Sequence, residues 1–188
     1  MSFNEHTPGR ELYENAITVK SFLKLYSMTG FRLGYAIAQE EDAKKLRGFI
    51  EVTATCVPPF VQRAGIKALE LRDRIKKRVR NEYRMRVKRA VRILNGLEFY
   101  PPEGAFYVFL HVPGDGLSFA ERLLNRGVAV FPGVAFGDYR DFIRISFTWK
   151  GFEEGLKIIR EEVEWASKSS ATEKWEGSLG NVLARSTR

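Results

Sequence analysis

The sequence predicts an α/β protein with two parts of different architecture. Short β-prone runs and two helical segments alternate through residue 71, and a long, strongly basic helix follows them. Beyond residue 96 the pattern changes to short strands and helices at close spacing. This change indicates a partial α/β layer in the first segment and a small α+β unit after the basic helix.

These patterns divide the 188 residues into four segments. We expect the partial α/β layer in residues 1–71, a connecting helix in 72–96, the small α+β unit in 97–166 and a tail in 167–188. The tail is rich in serine, threonine and glycine with scattered charges, a composition that predicts little regular structure.

The elements of the first part are few. A β-prone run at 16–19 predicts a buried strand, and 32–38 predicts a second strand. Helical periodicity covers 40–52, and a further helix follows Pro58 and Pro59 to about residue 71. Two strands and two helices cannot cover both faces of a buried sheet. The first part should therefore expose apolar surface unless another chain covers it, and we expect a two-fold homodimer.

The second part is predicted as a compact mixture of strands and helices. Strands are predicted at 105–110, 128–131 and 142–147, and helices at 118–125 and 152–165. Asn95-Gly96 and Gly127 are placed to end the helices that precede them. Phe106 and Tyr107 are expected in the core, because they lie in an apolar run.

The net charge of +8 is concentrated in one place. Residues 72–92 contain eleven basic and two acidic residues, so the rest of the chain is nearly neutral. Apolar residues recur every three or four positions in the same stretch, which predicts an amphipathic helix with a solvated basic face. We therefore expect no nucleic-acid partner.

The composition also excludes several other classes of protein. No apolar run approaches the roughly 18 residues of a membrane span, and no signal-peptide pattern opens the sequence. The single cysteine, Cys56, is interpreted as a small buried residue and favours the cytoplasm. His6 and His111 have no cysteine or paired carboxylate at ligand spacing, so no metal site is predicted.

Four motifs along the chain resemble those of class I fold-type aminotransferases, the aspartate and aromatic amino-acid transaminase family. They occur in the order and with the spacing that the family shows, between about residues 15 and 164. Their sequences are SFLK at 21–24 with MTGFRLGY at 28–35, PEGAFY at 102–107, PGVAFG at 132–137, and FIRISF at 142–147.

The resemblance implies pyridoxal 5'-phosphate as cofactor and assigns roles to four residues. Lys24 corresponds to the catalytic lysine, whose amine bonds to the cofactor aldehyde and then carries a proton. Ser21 and Arg32 correspond to ligands of the cofactor phosphate, and Arg144 to the residue that binds the substrate α-carboxylate. The substrates implied are an amino acid and a 2-oxo acid.

The resemblance also implies that the chain is the C-terminal half of a family member. The family's phosphate-loop glycine, ring-stacking aromatic, asparagine, tyrosine and pyridine-binding aspartate come well before the lysine, and only 23 residues precede Lys24. The expected fold is a partial large domain of the pyridoxal-phosphate transferases with a small α+β C-terminal domain. Such a chain should be inactive alone. Two alternatives remain open: a non-catalytic cofactor-binding or regulatory module, and a lyase using the same cofactor.

Overall fold

A computed structural model describes residues 9–185 of the chain. The chain divides between Arg84 and Met85 into two compact units. This division falls inside the basic helix that the sequence predicts as the connection between the two parts. Each unit has its own sheet, as the sequence predicts.

The first unit combines a two-stranded antiparallel sheet with helices. In chain order its elements are α1 (Gly9–Leu12), β1 (Thr18–Ser21), a 3-10 turn (Thr29–Phe31), β2 (Gly34–Ile37), α2 (Glu40–Thr53), α3 (Pro59–Glu70) and the first part of α4 (Arg72–Ile93). Strands β1 and β2 pair in register from Thr18–Ile37 to Ser21–Gly34. A small core lies between the loop that joins these strands and helix α3.

The prediction that the first strand is buried is wrong. Val19 in β1 is 76% exposed, and all four residues of β2 are exposed. Helix α2 buries none of its residues within the part of the chain that the structure describes. The apolar exposure predicted for this part is confirmed, because a two-stranded sheet and the few helices of this unit offer too little surface to cover one another.

Cys56 was expected to be buried, and this prediction is also wrong. It lies in the connection between α2 and α3, where its side chain is exposed. The prediction relied on the general tendency of cysteine to be buried, which holds for a protein with a complete core. The unit around Cys56 covers only a few of its apolar side chains.

Helix α4 matches the predicted basic helix. Its C-terminal end is followed by Gly96, which has φ of +88°, the left-handed conformation expected of a helix-ending glycine. Two arginines bind backbone carbonyls and join this end of the helix to other elements of the second unit. Arg86 Nη1 donates to the Phe147 carbonyl at 2.8 Å, and Arg160 Nη1 donates to the Ile93 carbonyl at 2.7 Å.

The second unit is a four-stranded antiparallel sheet with two helices. Its elements are β3 (Phe99–Tyr100), β4 (Tyr107–His111), α5 (Gly116–Asn125), β5 (Phe131–Pro132), β6 (Phe142–Ser146) and α6 (Phe152–Arg185). The strand order is β3-β4-β6-β5, so the central strands are β4 and β6. The predicted strand at 128–131 is reduced to the short edge strand β5, and β3 has no counterpart in the prediction.

The two faces of this sheet differ in chemistry. Along β4 and β6 the burial alternates, as expected for strands with one face in the core. The residues that face the core are aliphatic: Val108, Leu110, Ile143 and Ile145. The same core contains buried side chains of both helices: Phe119, Leu123, Leu156 and Ile159. The opposite face carries aromatic residues and Arg144.

A buried acid joins the two helices of the second unit. Glu162 of α6 is 7% exposed and accepts from Arg122 Nε at 2.8 Å and from Arg126 Nη1 at 3.2 Å. Both arginines belong to the C-terminal end of α5. Charge-assisted hydrogen bonds from two sides compensate for the cost of burying the carboxylate, which holds α5 against α6.

Helix α6 is longer than the sequence predicts. It continues to Arg185, through residues where we expected the tail to have little regular structure. At the predicted end of the helix, Ser167 and Ser169 donate their hydroxyls to the carbonyls of Val163 and Trp165, four residues earlier. These bonds give the serine hydroxyls hydrogen-bond partners inside the helix. A prediction from composition alone does not take such bonds into account.

Two further findings concern classes of site. None of the described helices is long and apolar enough to cross a membrane. Within residues 9–185, no cluster of three or more histidine, cysteine, aspartate or glutamate side chains has the arrangement of a metal site.

Candidate active site

Lys24 lies in the loop that joins strands β1 and β2. The strand pairing continues one step into this loop, because Phe22 N donates to the Leu33 carbonyl at 3.0 Å. Phe22, Leu33 and Met28 are buried in the loop and pack with Val61 and Ala68 of helix α3. The loop is therefore anchored at both ends and in its middle, while Lys24 itself is exposed.

Helix α3 packs closely on the base of the loop. A Cβ atom at Gly65 would lie only 2.5 Å from Leu33 Cδ2, so a larger residue at this position would require the buried Leu33 side chain to move. The ring of Phe22 contacts those of Tyr26 and Tyr35, with centroids 5.1 and 5.6 Å away. Burial, reinforced by Tyr35, raises the pKa of the Tyr26 phenol, so this hydroxyl keeps its proton at neutral pH.

Hydrogen bonds inside the loop set the course of the backbone around Lys24. Ser27 N donates to the Lys24 carbonyl at 3.2 Å, which closes a tight turn. Thr29 Oγ1 donates to the carbonyl of Leu23 at 3.1 Å, which joins the two sides of the loop. Thr29 thus helps to fix the backbone of the loop.

Ser21 and Arg32 stand at the two ends of the same loop. Ser21 Oγ accepts a hydrogen bond from Leu23 N at 3.1 Å, and Arg32 Nη1 donates to the Thr29 carbonyl at 3.3 Å. Arg32 has φ of +51°, a left-handed conformation that is uncommon for residues other than glycine. Such backbone strain is concentrated at functional positions, because the surrounding structure must maintain it.

Arg144 belongs to the second unit, on the central strand β6. Three aromatic rings surround its guanidinium, with the Cζ atom 4.4 Å from the Tyr107 centroid, 4.8 Å from Phe131 and 4.4 Å from Phe136. Arg144 Nε is buried and has no hydrogen-bond partner among the described residues. An orphaned buried donor on a cation is the feature that an anionic ligand would satisfy.

The structure therefore brings three of the four predicted site residues into one loop. Lys24 and Arg32 lie in the β1–β2 loop of the first unit, Ser21 is the last residue of β1 where that loop begins, and Arg144 is carried by the second unit. The sequence prediction missed the aromatic residues around Arg144: Phe106 is buried as expected, but Tyr107 faces the guanidinium. The grouping of aromatic residues around Arg144 depends on the strand register, which pairs Phe131 of β5 with Arg144 of β6.

Sequence comparison places this fold and loop in a known class of enzyme. A family model described as aminotransferase class I and II matches residues 2–159. The chain therefore belongs to the class I and II aminotransferase family, as the four motifs indicate. Enzymes of this family use pyridoxal 5'-phosphate.

The proteins to which this chain is similar include aspartate and aromatic-amino-acid aminotransferases. An aspartate aminotransferase of Thermococcus kodakarensis is 62% identical over all of this chain, which covers 52% of that protein. An aromatic-amino-acid aminotransferase of Thermococcus litoralis is 35% identical over 80% of this chain and 43% of its own length. The chain thus spans about half the length of the curated relatives that it matches.

Solved structures of the family show the same architecture. The crystal structure of aspartate aminotransferase from Thermotoga maritima matches with a TM-score of 0.71 and 35% identity. The match covers 78% of this chain and 39% of that one. The fold is therefore a partial one of the pyridoxal-phosphate aminotransferases, in agreement with the fold predicted from the sequence.

The residues of the loop fit the family's cofactor in their chemistry. Lys24 provides a primary amine for an aldehyde. Arg32 uses one of its five N–H donors on the Thr29 carbonyl, which leaves the guanidinium further donors for phosphate oxygens. Ser21 accepts through an oxygen lone pair and retains its own proton to donate.

Proposed function

We propose that this chain is the C-terminal part of an amino-acid aminotransferase, which transfers an amino group from an amino acid to a 2-oxo acid. The observation that carries this proposal is the Lys24 loop, in which an exposed lysine stands between a hydroxyl and a guanidinium on a braced backbone. The family membership and the names of the relatives support the same reaction.

Lys24 would be the catalytic residue. Its Nζ would bond to the cofactor and later carry the proton removed from the substrate α-carbon. When bound, pyridoxal phosphate supplies an aldehyde for this bond and a ring that accepts the charge left by proton loss. Because hydrogen bonds fix the backbone on both sides of Lys24, its Cα would be held in one place and only the side chain would have to be ordered.

Ser21 and Arg32 would hold the cofactor phosphate. A guanidinium fork and a hydroxyl suit phosphate oxygens, and each charge-assisted hydrogen bond contributes about 1.5–3 kcal/mol. Arg144 would bind the α-carboxylate of the substrate through its guanidinium. Its orphaned Nε supports this role, because a carboxylate would satisfy a buried donor that the described residues leave unpaired.

Measuring transamination tests the proposed function. The test requires the part of the fold that this chain does not contain. The chain alone should show undetectable or very slow transamination, because it spans only about half the length of the enzymes that it matches. Co-expression with the first half of the 62% identical Thermococcus kodakarensis relative should restore transfer from aspartate or an aromatic amino acid to 2-oxoglutarate.

The amounts of glutamate and of the new 2-oxo acid would be measured together. Equal amounts indicate transamination, whereas release of ammonia with a 2-oxo acid would indicate a lyase. A mixture that binds the cofactor but forms neither product would refute the proposed reaction. Rapid turnover by the chain alone would show that the other half is dispensable.

We propose that the chain also forms a homodimer, in a reducing location such as the cytoplasm. Large apolar side chains of the first unit are exposed, among them Val19, Ile37, Phe49 and Val52. Exposed apolar surface and unpaired strand edges favour self-association, which is most often two-fold. The single cysteine agrees with a reducing compartment.

Sedimentation velocity of the purified chain tests this assembly. We expect a dimer at micromolar concentration, and Val52→Asp with Phe49→Asp should shift it towards the monomer because the charges oppose burial. Lys150→Asp, a charge change in the second unit, is the control. A monomeric parent chain would contradict the proposal.

A further inference from the structure

Three aromatic rings from different elements meet around Arg144. Tyr107 belongs to β4, Phe131 to β5, and Phe136 ends the 3-10 turn at Gly133–Phe136. Their centroids lie between 4.4 and 4.8 Å from Arg144 Cζ, within the range of cation–π attraction. We call Tyr107, Phe131 and Phe136 the aromatic cage. It holds a cation through ring faces, which accept no conventional hydrogen bond.

The acids closest to Arg144 in sequence are paired elsewhere. Asp138 lies 3.5 Å from Arg140, and Asp141 lies 3.1 Å from His111. Neither of these acids is therefore paired with Arg144, and the Nε of Arg144 has no partner among the described residues. A protein carboxylate on this guanidinium would compete with a ligand, whereas aromatic faces orient the cation and leave its N–H donors available.

The cage is braced by the local backbone and by other rings. A Cβ atom at Gly133 would collide with the Tyr139 carbonyl oxygen, so the turn that carries Phe136 requires a glycine there. The ring of Phe136 also meets Phe131 and Phe109 edge to face, with centroids 6.5 and 6.2 Å away. These contacts restrict the rotation of Phe136, and hence the direction of the guanidinium beneath it.

We propose that Tyr107, Phe131 and Phe136 are positioning residues that hold the Arg144 guanidinium ready for a carboxylate. The proposal rests on the proposed function, in which Arg144 binds the α-carboxylate. In this arrangement aromatic rings, and not a carboxylate of the protein, hold the guanidinium of Arg144 in place. It also restrains a long side chain before the ligand arrives, so less conformational entropy is lost on binding.

Carboxylate titration followed by NMR tests the cage without cofactor or turnover. The Nε–H signal of Arg144 in the purified chain would be assigned by its loss in Arg144→Lys. Pyruvate and acetate should shift this signal, and chloride at equal ionic strength should not. Phe136→Leu and Phe131→Leu should each weaken pyruvate binding by roughly three- to tenfold.

Matched variants separate positioning from general packing. Tyr139→Leu is the control, because Tyr139 packs against Phe109 and Phe142 of the same sheet face and makes none of the ring contacts to Arg144 described above. It should bind pyruvate like the parent, and Phe136→Tyr should retain parental binding because the ring is kept. The remaining NMR signals report whether each variant is folded.

Two results would overturn the proposal. One is parental pyruvate affinity in both folded leucine variants while Arg144→Lys abolishes binding, which would make the cage unnecessary. The other is an Arg144 signal that no carboxylate shifts. Failure of the proposed function is read separately, since it is measured as turnover of the completed fold and as covalent capture of pyridoxal phosphate at Lys24 in the first unit.

Discussion

Replacement of Lys24 by alanine is expected to abolish covalent capture of pyridoxal phosphate by the chain. Alanine removes the Nζ amine, whereas the pairing of β1 with β2 is made by backbone atoms and should persist. The chain would be incubated with cofactor and reduced with borohydride, and the modified peptide identified by mass spectrometry. In the parent, the label should lie on residue 24.

Two variants show whether this loss is specific. Lys20→Ala removes another lysine of the same unit, opposite Tyr35 in the strand register, and should leave the label at Lys24 unchanged. Arg32→Ala should weaken capture by about 10- to 150-fold if its guanidinium makes one charge-assisted phosphate contact. If the Lys24→Ala protein captured as much cofactor as the parent, the assignment of this loop would be wrong.

Phe22→Ala is expected to destabilise the first unit by about 3–5 kcal/mol, the usual cost of removing a buried phenyl ring. Phe22 is 3% exposed and packs where the loop, Tyr26 and helix α3 meet. A loss of this size is a large part of the stability of a small domain. We therefore expect faster hydrogen exchange in β1 and α3, together with weaker cofactor capture at Lys24.

Phe60→Ala is the matched control for this prediction. It removes the same ring from helix α3 of the same unit, at a position that is 71% exposed. Its effect on hydrogen exchange should correspond to about 0.5 kcal/mol or less. Phe22→Leu, which keeps most of the buried volume, should be intermediate. Equal exchange rates in the Phe22→Ala and Phe60→Ala proteins would show that the loop core does not support the site.

Most helices were predictable because their signals are local. The predicted helix at 40–52 corresponds to Glu40–Thr53, and the basic helix to Arg72–Ile93. Apolar spacing and the helix-ending Gly96 act over a few residues, so no knowledge of the fold is needed to see them. The motifs of the Lys24 loop are local in the same sense, since Ser21, Lys24 and Arg32 lie within twelve residues.

Burial was less predictable, because it depends on what covers a residue. Val19 and Cys56 have the chemistry of buried residues, yet both are exposed in a unit with few neighbouring elements. The end of α6 was missed for a related reason. Serine and threonine favour irregular structure in a composition count, but Ser167 and Ser169 find helical carbonyls as acceptors.

The sequence alone determined the family, because the residue types and spacing of four motifs resemble it. That resemblance implied the cofactor and the roles of Ser21, Lys24, Arg32 and Arg144. The surroundings of Arg144 were decided by the tertiary structure. Its cage comes from residues 107, 131 and 136, which are brought together by the order β3-β4-β6-β5 and by the turn at Gly133. Pairing between strands that are distant along the chain follows from the packing of the whole sheet, and no local pattern encodes it.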